Sequence, residues 1–271
     1  MGERHLGQEL VPDGLWEIVE PLILPQRERP QGGGTRFVED QAVCTAIVSV
    51  LTTGGAWRHL PAKFGVSKAT AHRRFVVWTQ AGLWRRRHRA VLDRLGAQAA
   101  IDWSRAVVDA ASGHAKKGGP LTGANPVECG KAGSKLHVLT DAAGRPRALA
   151  VSAANTHDRL ALIPLVQAIP AIRSRRGPRR RPPRASCTPT KAYDYPHLRA
   201  WLHRRQITPR IARRGVETNE KLDRHRWIIE RSLAWLTGYR RLTLRYEHSA
   251  RLFTAFLTLA ATLTCDKKLT I

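Results

Sequence analysis

Ser134-Lys135-Leu136-His137-Val138-Leu139-Thr140, followed at once by Asp141-Ala142-Ala143-Gly144, is the stretch on which the fold turns. Leu136 and Val138 alternate with Lys135 and His137 in the pattern of a half-buried strand, and the tetrapeptide after them supplies turn chemistry. An apolar run, Ala148-Leu149-Ala150-Val151, follows the turn, and Arg105-Ala106-Val107-Val108-Asp109-Ala110 stands upstream as a short β-rich run ending in an acid. Together these predict an antiparallel meander. Further along, helical spacing predicts helices near 158–168, 195–205, 221–238 and 251–264, with a short strand at 207–211. Strands paired first and alternated with helices afterwards define an α/β domain.

Toward the N-terminus the periodicity is helical. Leu15, Ile18, Val19 and Leu22 mark one helix, and Ala42, Val43, Ala46, Ile47, Val50 and Leu51 mark another that stops at Gly54-Gly55. The Pro-Gln-Gly-Gly-Gly stretch at 30–34 reads as a loop. Beyond Trp57, Pro61 can open a short helix, Gly65 can end it and Ser67 can cap the next, which is helix-turn-helix punctuation. The helix from Ser67 carries Lys68, Thr70, His72, Arg73 and Arg74 beside an apolar face of Ala71, Phe75 and Trp78. Such a helix suits the major groove of DNA, with the run Arg85-Arg86-Arg87-His88-Arg89 extending the phosphate contacts. Two domains are expected: an all-α helix-turn-helix DNA-binding domain over 1–100, and an α/β domain over 101–271 with a basic Arg/Pro loop at 173–184.

Charge narrows the partner. Lys and Arg total 46 against 21 Asp and Glu in 271 residues, a formal net charge of +25. The cations lie in many clusters along a chain whose apolar content, 42%, still builds a core, so nucleic acid is expected as partner rather than a membrane. The longest apolar run, 252–265, is broken by threonines and falls short of the ~20 residues of a membrane span. Cys44, Cys129, Cys187 and Cys265 form no Cys-x-x-Cys pair, which argues against a zinc site or a disulfide framework and for a cytoplasmic location.

Several motifs in order carry a resemblance. They are Leu51-Thr52-Thr53-Gly54-Gly55-Ala56-Trp57-Arg58-His59-Leu60-Pro61, Val107-Val108-Asp109-Ala110, Lys116-Lys117-Gly118-Gly119, Gly133-Ser134-Lys135-Leu136-His137, Ala154-Asn155-Thr156-His157-Asp158, Lys191-Ala192-Tyr193-Asp194 and Arg226-Trp227-Ile228-Ile229-Glu230-Arg231. With these the chain resembles DDE-type insertion-sequence transposases of the insertion-sequence-five group. The resemblance implies a ribonuclease H-like catalytic domain in which two Mg²⁺ or Mn²⁺ ions, held by three carboxylates, drive DNA strand cleavage and transfer. It further implies terminal inverted repeats as the bound DNA and a homo-oligomer assembled on them. Asp109, expected at the end of the first strand, matches the first metal ligand, and Glu230 on a late helix matches the third. Arg240, Arg241 and Arg245 are further candidate DNA contacts, Trp227 and Trp235 read as core, and His114, His137 and His157 as structural.

The second ligand departs from the pattern. The family reads Ala-Asp-Lys-Ala-Tyr-Asp where this chain reads Pro189-Thr190-Lys191-Ala192-Tyr193-Asp194, so Thr190 stands at the catalytic Asp position. A hydroxyl there removes a full negative charge between two dications. The residues before it, Ser186-Cys187-Thr188-Pro189, lack the apolar character of a buried parallel strand, so the strand itself is expected to be lost. As a hypothesis, a one-base shift within codons for Lys-Leu-His-Ala-Asp yields Ser-Cys-Thr-Pro-Thr; alignment with an intact gene showing only base substitutions would sink it. Gly113-His114 replaces a Val-Arg pair of the family, and Glu128-Cys129 an Asp-Arg pair. The leading expectation is thus a transposase with impaired catalysis. The alternatives are an inactive DNA-binding repressor of related elements and a basic packaging protein without site choice.

Overall fold

The computed structural model describes residues 10–24, 38–175, 178–179, 186–189, 191–211, 220–267 and 269. Among these, strands β1 (Ala106–Ala115), β2 (Gly123–Ala124), β3 (Ala132–Thr140), β4 (Pro146–Ala153), β5 (Ser186–Pro189), β6 (Thr208–Pro209) and β7 (Leu244–Arg245) build one sheet. β3 is antiparallel to both β1 and β4, which is the expected meander, while β5 runs parallel to β1 and β6 parallel to β5. The short strand β2 extends β3, and β7 pairs with the end of β1.

Alternation along the strands splits the sheet into two apolar faces. Val107, Leu136 and Val138 join one buried cluster, and Ala106, Val108 and Leu139 join the other. Helices α5 (Arg159–Ala168) and α6 (Pro196–His203) contribute Leu162, Leu165, Leu198 and Leu202 to the second cluster. The first cluster meets α7 (Glu220–Thr237) and α9 (Ala250–Asp266), with the short α8 (Arg240–Thr243) between them in sequence. The apolar run at 252–265 is therefore a buried helix, and no helix among the described residues is long and apolar enough to cross a membrane.

Upstream lie α1 (Asp13–Val19), α2 (Asp40–Thr53), α3 (Lys68–Gln80) and α4 (Leu83–Ala97). Their buried residues Leu15, Ile47, Phe75 and Leu92 belong to the same cluster as Phe256 and Leu259 of α9. Phe75 and Phe256 stack with centroids 4.3 Å apart. One apolar core thus runs across residue 100. Gly54 closes α2 with φ +70°, and a Cβ there would come within 2.8 Å of Arg240 Cβ, so the turn can bring α8 against α2 only at a glycine.

Three local expectations need correction. The segment before Gly65 is a three-residue 3-10 turn, Ala62–Phe64, rather than a helix, although Gly65 ends it with φ +63° and Ser67 caps α3 as expected. Asp109 does not end its strand, because pairing with β3 continues β1 to Ala115. Ser186–Pro189 has not lost its strand: Cys187, Thr188 and Pro189 pair with Ala106, Val107 and Val108, and all four residues are buried. Ladder bonds come from the backbone, Ser186 Oγ donates to Ser104 O (3.1 Å), and Cys187 packs as a small apolar residue. Pro189 is tolerated because it lies two residues past Cys187, whose carbonyl accepts the Arg210 N–H at 2.8 Å, and so beyond the end of β6.

Candidate active site

Asp109 is the first residue of β1 past its parallel neighbour, since Val108 pairs with Pro189 and β5 ends there. Alternation places it on the face of Val107 and Ala111, the face that α7 covers. It is half-buried, and one carboxylate oxygen, Oδ1, accepts the Ala110 N–H at 2.9 Å. Glu230 follows buried Ile229 on α7 and is itself exposed. Packing of α7 follows from its Ile228, Ile229, Leu233 and Leu236, and Ser232 Oγ ties it to Gly144 O (2.7 Å) in the β3–β4 turn. Both candidate carboxylates therefore belong to elements that meet on one sheet face. Thr190 lies outside the described residues.

Other acids near in sequence are committed elsewhere. Asp141 is buried and receives Arg147 Nη2 (3.2 Å) together with the Ala143 and Arg145 N–H groups. Asp158 holds Lys135 Nζ at 2.7 Å, and Asp194 holds Arg199 at 2.8 Å. Lys135 alternates with Leu136 and so faces away from the Asp109 side of the sheet. Tyr193 is fully buried with its hydroxyl unpartnered, and desolvation, reinforced by the charges of Asp158 and Asp109, pushes its ionisation far up. It is a neutral packing residue. Among the described residues no three His, Cys, Asp or Glu side chains gather to hold a metal ion, so the described donors fall short of a three-carboxylate set.

The two departures flanking this region touch. His114 Nδ1 lies 3.6 Å from Glu128 Oε2, so two replaced positions meet in one contact. His137 bonds Ser152 Oγ at 2.8 Å, and burial drives its pKa down to about 4, which makes it a neutral structural residue. His157 Nε2 lies 3.2 Å from the Tyr195 hydroxyl.

On α3 the expected DNA-facing residues divide. Ser67 Oγ accepts the Thr70 N–H (3.1 Å) and bonds its hydroxyl (3.0 Å), so this pair caps the helix. Arg74 is half-buried, paired with Asp40 at 2.5 Å and lying over Trp78. Lys68, His72 and Arg73 remain on the exposed face. Arg240 is also exposed, but Arg241 is buried, held by Glu247 (2.6 Å) and by Gly55 O (2.8 Å), which corrects its assignment as a DNA contact. In the Arg85–Arg89 run, Arg87 and His88 are buried while Arg85, Arg86 and Arg89 face out. Trp227, expected in the core, is 51% exposed and stacks on Arg231. Arg245, a candidate DNA contact from the run of Arg240 and Arg241, is likewise buried and donates to Glu247 O, Pro120 O, His248 O and Ser134 Oγ, which makes it a structural residue. Its only sequence signal is its place in an Arg-rich run.

Comparison with known proteins fits this geometry. Residues 11–88 match a family described as a transposase of the IS4/5 family, and residues 96–265 match the transposase DDE domain. A Burkholderia cepacia protein named as a transposase for insertion sequence element IS402 is 42% identical over 148 residues, covering 55% of this chain and 70% of that protein. A 16.2 kDa protein of the same insertion element is 39% identical over 123 residues, 45% of this chain and 84% of its own length. No solved structure matches at a significant level. Family models over both parts of the chain, joined to Asp109 and Glu230 on elements that share a sheet face, lead to one conclusion: the chain belongs to the IS4/IS5-family DDE transposases.

Proposed function

We propose that the chain binds the terminal inverted repeats of its own insertion element as a homo-oligomer and is impaired in the strand cleavage of its family. Double-stranded DNA is met by the exposed side of α3 through Lys68, His72 and Arg73, with the exposed Arg240 on α8 as a further contact. The observation that carries the impairment is the commitment of Asp141, Asp158 and Asp194 to Arg or Lys partners, so none of these three acids stands in for the one missing at Thr190. Asp109 and Glu230 alone do not fit a pair of Mg²⁺ or Mn²⁺ ions, because two carboxylates leave half of the four positive charges uncompensated.

Cleavage of a labelled duplex carrying the element's end tests this. Because β5 is already formed, the single change Thr190→Asp is expected to suffice, raising Mg²⁺-dependent cleavage on the order of 100-fold or more. Strong cleavage by the unaltered chain, abolished by Asp109→Ala, would show that another group serves at the second position. Retained end binding without cleavage in both proteins would favour the second reading, a DNA-binding repressor of related elements, which the intact exposed face of α3 supports.

A further inference from the structure

Between α4, the start of α9 and the start of β4 lies an open groove of about 900 Å³. Arg85, Arg86, Arg89, Arg147 and Arg251 line it, and none of the described lining residues is acidic. Five guanidinium groups gathered in one groove, with no acid among its described lining residues, point to a polyanion. Neutral groups hold two of the cations in place without cancelling their charge: Arg86 Nη2 donates to Leu22 O (3.2 Å), and Arg251 Nη2 to Gln80 O (3.3 Å). Arg147 is buried, and although Nη2 reaches Asp141, its Nε and Nη1 have no partner. Arg147 therefore lies beneath the floor of the groove, and the exposed Arg85, Arg86, Arg89 and Arg251 are the donors that a phosphodiester oxygen can reach.

We propose that this groove is a second DNA contact, a backbone track for the duplex flanking the segment met by α3; it rests on the DNA-binding reading above. Arg85 and Arg89 stand about 6 Å apart along α4, comparable with two phosphate steps of about 3.4 Å along one strand. Thr79 and Gly82 at the far end of α3 also line the groove. Lys68 begins that helix roughly 18 Å away, so one duplex can span both surfaces. Thr79, Thr254 and Thr258 along it donate to carbonyls of their own helices and His88 is buried, so the groove offers guanidinium groups to the backbone, adds affinity and salt dependence, and leaves sequence preference to α3.

The test measures binding of the full chain to a fluorescent duplex bearing the element's end and to a scrambled duplex across ~50–200 mM salt. The triple variant Arg85→Gln/Arg89→Gln/Arg251→Gln is compared with a charge-matched control, Lys117→Gln/Lys131→Gln/Arg204→Gln, whose positions are exposed and outside the groove. The groove variant is expected to lower the salt slope by ~0.9 for each phosphate no longer neutralised, and affinity by about 10-fold or more, with the end-to-scrambled ratio unchanged. An unaltered slope, or an equal fall in the control, overturns the groove while leaving DNA binding by α3 intact. Failure of the unaltered chain to bind either duplex overturns the DNA-binding reading and the groove with it. Loss of binding to polyglutamate with the DNA slope unchanged would assign the groove to an acidic protein segment and overturn it as well.

Discussion

Two arginine-rich runs, Arg85–Arg89 and Arg240–Arg245, read alike in sequence and serve opposite ends in the structure. On α4 the helical period turns Arg85, Arg86 and Arg89 outward and leaves only Arg87 and His88 inside. After α7 the chain makes a single turn of helix and a two-residue strand, and Arg241 and Arg245 become the inward members. Their guanidinium groups clasp carbonyls from loops that lie more than a hundred residues away in sequence, Gly55 for one and Pro120 for the other. Arginine content alone therefore does not locate a DNA surface; the partner of each guanidinium does.

If that contrast is right, stability and DNA affinity should separate cleanly between the runs. Arg245→Ala strands several buried carbonyls and the Ser134 hydroxyl at once, and is expected to cost the fold about 5 kcal/mol or prevent folding, as read by thermal and urea unfolding. Arg241→Ala leaves the buried Glu247 carboxylate uncompensated and should cost about 3–5 kcal/mol. Unchanged melting in either variant would break the comparison.

A smaller effect comes from the inward histidine of the α4 run. Burial first, and Arg147 to a lesser degree, hold the His88 pKa at about 4 despite its bond to Pro146 O. Its contribution is complete above the unfolded value near 6.5 and is lost as pH falls from there to about 4, because the unfolded chain takes up a proton that the folded chain refuses. His137 behaves alike, so His88→Asn should remove about one of the two histidine protons linked to unfolding in that window. Identical pH slopes for the two proteins would mean His88 is not held neutral. The smallest effect belongs to the outward members: Arg85→Gln and Arg89→Gln should each leave stability within about 0.5 kcal/mol, and a larger loss would show that they too are structural.

Much of this was legible in advance for reasons particular residues make plain. Leu136 and Val138 alternate, Gly65 and Ser67 punctuate, and the helices at the end of the chain repeat at the right spacing, so elements with strong local patterns were found. The strand Ser186–Pro189 was not, because its place is set by the open edges of β1 and β6 rather than by apolar side chains of its own. Asp109 reads as a strand end because the short β-rich run from Arg105 stops at an acid, yet backbone pairing with β3 carries β1 on through Ser112 and Gly113. Likewise the inward turn of Arg241 depends on Gly54, Gly55 and Glu247, two of them distant in sequence and none signalled by the arginine itself.

The shared core has a consequence for how the chain is made. Phe75, Trp57 and Leu92 lie in a cluster that α9 completes, and α9 spans Ala250–Asp266. During synthesis at about 5–20 residues per second, the helices of the first hundred residues wait for their partner on the order of ten seconds. A nascent chain halted before α9 leaves the apolar sides of α3 and α4 open to solvent and to chaperones. A released fragment of residues 1–100 should accordingly bind hydrophobic dye and be cut rapidly by protease at sites the full chain protects; a fragment as resistant as the full chain would show that these helices close a core without α9.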